Sequence, residues 1–366
     1  MTYDRYCLRE VAQIITGKTP PTTQPENFGG EIPFVTPAEL DSDSEIKETP
    51  RTLSVLGASF VKSVPQASTL VCCIGSLGKV GYAGRELATN QQINSVIFDP
   101  YKVDPRYGFW AIKQLKRELL RVAPATTVPI VSKSLFEQLK IPLPPLPQQK
   151  RIAAILDQAA DLIRLRKEAL AKLDVLSRAI FHDMFGDLRQ NKNGFDQLKL
   201  TDALIFKTGK LDSNASKPDG KYPFFTCAKE VSAIDTYAFD TEALLLAGNN
   251  ASGDYDVKHY KGKFNAYQRT YVIKINHEGL EYQFVQRCLE LMLKDLKRYS
   301  KGSNTKYLTM EILGRMKLSI PSKELQRDYL KKMRFVTAQQ QTGQRALVTS
   351  ENLNLALQQQ AFRGLI

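Results

Sequence analysis

From Pro147 to Phe185 the chain has no glycine and no proline after its first residue, and apolar side chains recur at helical spacing: Ile152, Leu156, Ala159, Ile163, Leu170, Leu173 and Ile180. Charged residues fill the opposite positions. This pattern predicts one amphipathic helix with a coiled-coil-like seam. At 1.5 Å per residue it is roughly 58 Å long, a rod suited to separating two bodies. The run Ile141–Pro147, rich in proline, leads into it and is expected to be extended and stiff. A second such stretch runs from Ser322 to Phe362, with Leu325, Tyr329, Val336, Leu353 and Leu357 on its apolar stripe. Its middle, Gln339 to Gly343, is polar, so a weak or kinked helix is expected there.

The two stretches are copies. LKIPLP at 139–144 matches MKLSIP at 316–321, and an offset of 177 residues pairs Gln149 with Gln326, Ile152 with Tyr329, Leu176 with Leu353 and Phe185 with Phe362. The same offset pairs Ser132 with Thr309 upstream. The globular segments before each helix match more loosely: Gly17-Lys18 with Gly209-Lys210, and Ile32–Thr36 with Tyr222–Thr226. Short β-branched and aromatic runs broken by glycine and proline mark both as mixed, mostly β units, each with a shorter helix, Arg106 to Val122 and Glu281 to Tyr299. The expected organisation is α+β. Two mostly β globular units (1–146 and 187–321) alternate with two long helices (147–186 and 322–366). Neither helix can bury its stripe alone. The predicted solution is an antiparallel pair, a coiled-coil spacer with approximate two-fold symmetry.

A net charge of +13 over 366 residues points to a polyanionic partner. No segment approaches the ~20 apolar residues of a membrane span, and the N-terminus lacks the plan of a signal peptide. Five cysteines without a CxxC pair suggest neither a disulfide framework nor a zinc site. A cytoplasmic location is expected. Duplex DNA fits two unlike globules on a rod: it would be read at two different half-sites, an asymmetric bipartite target, separated by at most roughly 17 base pairs at ~3.4 Å each. A coiled-coil protein–protein scaffold with incidental basic charge is the competing reading.

The chain resembles the specificity subunits of type I restriction–modification systems. The likeness is carried by KIPLPPLPQQKRIAAILDQAADLI at 140–163, SRAIFHDMFGD at 177–187, IITGKTPP at 14–21 and QQQAFRGLI at 358–366. The resemblance implies two target recognition domains and paired helices that act both as spacer and as docking surface for two methyltransferase subunits, which restriction translocase subunits then join. It implies no catalysis by this chain. S-adenosylmethionine, ATP and magnesium would belong to the partners. The second copy departs from the pattern, with Ser322-Lys323-Glu324-Leu325 where the first has Pro-Leu-Pro-Gln.

Candidate DNA-contacting residues fall in matching places. The loop from Ile74 to Gly81 offers glycines for close approach to phosphate, together with Ser76 and Lys79; it lacks the spacing of a Walker loop. Its counterpart, 247–253, carries Asn249 and Asn250, and Asn and Gln can grip adenine through two hydrogen bonds. Asn90-Gln91-Gln92 and Gln268-Arg269 precede matching strands. Thr126-Thr127 and Ser303-Asn304, with Lys306, occupy matching exit loops. Lys18, Thr19, Thr36, Lys207, Lys210, Thr226 and Lys301 suit phosphate contacts, which position without specifying. Each of these residue types is also common in ordinary turns and strand edges. No histidine lies in a ligand-spaced cluster, and Glu45-Ile46-Lys47 lacks the partner strand motif of a nuclease. No metal site or catalytic residue is expected.

Overall fold

The computed structural model describes residues 3–366 apart from 42, 125–127, 189, 252 and 303–304. The chain divides into two compact units, Met1–Ala169 with Gly343–Ile366, and Leu170–Thr342.

Unit 1 opens with β1 (Arg5–Cys7), α1 (Leu8–Val11), β2 (Ala12–Thr16), β3 (Phe28–Val35), β4 (Glu45–Ile46), β5 (Thr52–Leu53) and α2 (Val55–Ala58). Four strands follow: β6 (Thr69–Cys72), β7 (Val80–Ala83), β8 (Ala88–Thr89) and β9 (Ile93–Phe98). Then come α3 (Pro105–Gln114), α4 (Lys116–Val122), α5 (Lys133–Glu137) and β10 (Lys140–Pro142). The first half of α6 (Leu146–Phe185) closes the unit. The main sheet has the order β2-β9-β6-β7-β4, a smaller one is β5-β3-β8, and β1 pairs with β10. The expected helix Arg106–Val122 is two helices that meet at Leu115. Asp104 caps α3, accepting from the amides of Arg106 and Tyr107.

Unit 2 repeats this order. It runs β11 (Asp196–Lys199), α7 (Leu200–Ala203), β12 (Leu204–Thr208), β13 (Tyr222–Phe225), β14 (Ser232–Ile234), β15 (Phe239–Ala247) and β16 (Asn249–Asn250). It continues with β17 (Val257–Ala266), β18 (Thr270–Ile275), α8 (Tyr282–Tyr299), β19 (Lys306–Tyr307), α9 (Met310–Gly314) and β20 (Lys317–Ile320). The final helix, α10, spans Lys323–Phe362. The sheet order is β12-β18-β15-β17-β13-β14, and β11 pairs with β20 as β1 does with β10. The ten-residue β17 does the work of β7 and β8 together. Phe224 and Phe225 run parallel to Asn265 and Ala266, as Phe34 and Val35 do to Ala88 and Thr89.

The long helices are shared between the two units. Each unit takes half of each helix. In unit 1, Ile152, Leu156 and Ala160 share a core with Ala361, and Leu357 and Phe362 pack against it. Lys167 pairs with Glu351 at 3.0 Å, and Arg166 donates to the Ala346 carbonyl, so the two halves run antiparallel. In unit 2, Phe181 and Phe185 meet the Tyr329 ring edge-on at 5.5 and 5.4 Å. Ile180, Leu325 and Met333 pack around them. Aromatic side chains bury large areas, so this cluster carries much of the attachment of both helix halves.

Two expectations for α10 need correction. First, α10 is continuous through Gln339–Gly343. Seam positions Val336, Leu347, Ser350 and Asn354 are buried on either side of that stretch, and this packing outweighs the weak local propensity. Second, Leu353 is 53% exposed, and Asn354 takes the seam position instead. The a/d phase of the helix passes through 329, 336, 347, 350 and 354, which the apolar residues alone do not reveal. Leu176, the repeat partner of Leu353, is exposed as well. Ile163, Leu170 and Leu173 are half-buried.

The offset of 177 reappears in the caps. The Ser132 hydroxyl accepts from the Leu135 amide at 3.3 Å, and Thr309 accepts from Ile312 at 3.4 Å. Ser132→Ala or Thr309→Ala is expected to cost about 0.5–1 kcal/mol in thermal unfolding of the full chain, the ordinary value of an N-cap.

Candidate functional site

In unit 1 the residues singled out in sequence converge on one end of the main sheet, where β2 and β6 finish and β9 begins. Gly17 and Lys18 leave β2 there, their amides bonded to the carbonyls of Ile93 and Thr89. Asn90, Gln91 and Gln92 lead into β9, and the hairpin from β6 to β7 carries Gly75, Ser76 and Gly78. The opposite end of β9 runs toward Lys102 and Asp104, which hold the start of α6. The site therefore lies at the far end of the central strands from the long helix.

Unit 2 builds the equivalent end with a matching backbone bond. The Tyr267 amide donates to Phe225 O, as Asn90 does to Val35 O, which places Thr36 and Thr226 beside the two sites. A Cβ on Gly17 would sit 2.3 Å from the carbonyl oxygens of Thr89 and Asn90; one on Gly209 would sit 1.7 Å from that of Ala266. Both glycines are needed for close strand approach. Asn249 and Asn250 form the short strand β16, paired with Tyr307 and Lys306. In unit 1 the equivalent contact is the bridge between Ile74 and Ile130.

The side chains divide sharply. Asn90 and Gln92 bond each other, Nδ2 of Asn90 to Oε1 of Gln92 at 3.0 Å, and Gln92 Nε2 donates to Ile74 O at 3.3 Å. Their amides shape the loop. Lys79 is also tied down, 3.4 Å from Pro37 O and 4.0 Å from the Asp41 carboxylate. Gln91 is exposed and accepts from the Thr19 hydroxyl at 2.5 Å. Gln268 instead donates, from Nε2 to the Asp212 carboxylate at 3.4 Å. Ser76, Lys18, Lys207, Lys210 and Arg269 are open to solvent or nearly so. Lys301 pairs with Glu311 at 2.8 Å, and Lys306 Nζ donates to Gly302 O. Thr126, Thr127, Ser303 and Asn304 lie outside the described residues.

Two lysines that no motif marked join these ends. Lys116, at the start of α4, lies against Gly78, and Lys297, near the end of α8, lies against Gly253. The signal was present as KRELLR and LKDLKR, basic runs on helices that precede the exit loops. Each unit thus presents exposed cations and amides on rigid strand ends, an arrangement that can hold phosphates and donate to base edges.

The family model described as "Type I restriction modification DNA specificity domain" matches residues 2–174 and 193–346. The chain belongs to this family. Its two matched segments are the two copies of the specificity domain. The chain is 40% identical over 142 residues to the type I restriction enzyme EcoDI specificity subunit of Escherichia coli; that match covers 39% of this chain and 31% of the relative. Over 361 residues it is 22% identical to the MjaIX specificity subunit of Methanocaldococcus jannaschii, covering 86% of this chain and 82% of the relative. The chain spans less than a third of the EcoDI subunit in the stretch it matches. In fold, the specificity chain is similar to the S subunit of a type I restriction–modification system from M. genitalium, with a TM-score of 0.68, 18% identity, and 99% and 96% of the two chains covered.

Among the described residues of this specificity chain no three His, Cys, Asp or Glu side chains group to hold a metal. His259 instead faces Glu242 at 3.0 Å and stacks on Tyr282, and Glu45 pairs with Lys47. No helix among the described residues is long and apolar enough to cross a membrane. The five cysteines are free, and burial pushes the Cys73 thiol up to about 12.

Proposed function

We propose that this chain is the non-catalytic DNA-reading subunit of a type I restriction–modification complex. Each unit reads one half of an asymmetric, bipartite duplex target through the strand end described above. The long helices set the gap and dock two methyltransferase subunits, through which restriction subunits join. S-adenosylmethionine, ATP and magnesium act in those partners, in the cytoplasm. The observation that carries this reading is the duplicated strand end. Two domains share one backbone scaffold, down to the glycine pressed on a carbonyl, yet present different side chains at its tip. A pair of readers with one framework and two sequences is what an asymmetric target requires.

The test is a salt titration of the full-length chain, with its methyltransferase subunits, on duplexes selected from a randomised pool. Affinity should fall along a line in log–log form, with a slope of about −0.9 per phosphate neutralised. The selected sequences should show two specified blocks around an unspecified gap. A protein scaffold with incidental charge would select no sequence at any salt concentration.

A further inference from the structure

We infer that Arg269 is the side chain with which unit 2 reads a guanine in its half-site, and that unit 1 has no equivalent. The inference rests on the DNA-reading function proposed above and names one contact within it.

The repeat identifies the position. The offset of 177 residues that aligns the two helices pairs Arg269 with Gln92 and Tyr307 with Ile130. The structure places both pairs at the same spot, because Tyr307 joins the strand end of unit 2 as Ile130 joins that of unit 1. The two residues differ together. In unit 1, Gln92 turns inward, its amide used on Ile74 O and Asn90, and the position of Tyr307 is taken by the aliphatic Ile130. In unit 2, the Arg269 guanidinium lies over the Tyr307 ring, 5.2 Å from its centre.

Arg269 is also held in place from beneath. Its carbonyl accepts from the Gly248 amide at 2.8 Å. A side chain on Gly248 would sit 2.3 Å from that same oxygen. The Tyr307 backbone is held by two bonds with Lys301, at 2.8 and 3.1 Å. The guanidinium is thus exposed on a stacked platform with a fixed backbone, while the neighbouring cations Lys301 and Lys306 are engaged with Glu311 and Gly302. An aromatic face lowers the ordering cost of an arginine without consuming its hydrogen-bond donors. A planar fork with free donors matches O6 and N7 of guanine in the major groove. The same fork can also clasp a phosphate through two bonds, but loss of that contact would weaken binding without changing the selected sequence.

The experiment compares the unmodified chain with Arg269→Lys and Arg269→Ala, each full-length and assembled with its methyltransferase subunits, on the same randomised duplex pool. The unmodified chain should select a guanine at one position of one half-site. Both variants should lose that preference by roughly ten- to a hundred-fold and leave the other half-site unchanged. The intact half-site serves as the control for folding and assembly. Three outcomes overturn the inference: Arg269→Lys retains the preference, both variants weaken binding with the motif intact, or both half-sites degrade together. If the unmodified chain selects no bipartite sequence, the DNA-reading function itself fails, a result separate from any change confined to the variants.

Discussion

Gly17→Ala is expected to disable reading by unit 1, and Gly209→Ala reading by unit 2, each with a loss of at least about 3 kcal/mol of stability. The cause is close approach, not backbone conformation. Neither glycine has a positive φ. The added methyl would meet backbone carbonyl oxygens, at 2.3 Å from Thr89 and Asn90 in one case and 1.7 Å from Ala266 in the other. A side chain could swing away, but a carbonyl within a sheet cannot move without breaking its ladder. The carbonyls in question belong to the segments that lead into Gln91 and Gln268. The strand end must therefore open where the proposed reading occurs. Chemical unfolding of the full chain and half-site selection would measure the two effects. A loss below 1 kcal/mol with both half-sites intact would show that the strands can part cheaply there.

Gln149→Ala and Gln326→Ala should each cost about 3 kcal/mol, for a different reason. Gln149 is 1% exposed and makes three hydrogen bonds. Its Oε1 accepts from the Asp104 amide at 2.8 Å, and its Nε2 donates to the carbonyls of Lys102 at 3.0 Å and Pro144 at 2.8 Å. Gln326 repeats all three, with Glu281 at 3.0 Å, Gly279 at 2.6 Å and Pro321 at 2.9 Å. One side chain thus joins the shorter helix, the loop before it and the start of the long helix. Alanine would leave a buried amide and two carbonyls unpartnered. Gln149→Glu conserves shape but sets a carboxylate against two carbonyl oxygens, and should destabilise as much at neutral pH. Thermal unfolding would decide. A neutral Gln149→Glu would mean that the pocket admits water and that the three bonds contribute little.

The glutamine pair was legible before any coordinates, since Gln149 and Gln326 stand at the same step of the repeat. Its role was not. A glutamine on the first turn of an amphipathic helix looks like a solvated residue, and only the return of the Lys102–Asp104 segment buries it. Asn90 and Gln92 pose the same problem. Amides before a strand suit base readout, but the adjacent hairpin supplies Ile74 O, and the two side chains bond each other. Lys79 likewise finds Pro37 and Asp41, some forty residues earlier in the chain.

Periodicity and repetition were sufficient for the two long helices, the two mixed domains and the equivalence of their parts, because these depend on spacing along the chain and on which faces must leave water. The halving of each helix between two cores, the phase that buries Asn354 and exposes Leu353, and the split between amides that build the loop and Arg269, which stays free, all required the folded chain. These features depend on which distant backbone oxygen or ring arrives beside a side chain. A hydrogen bond or a seam position is set by that neighbour, and no local pattern encodes the meeting.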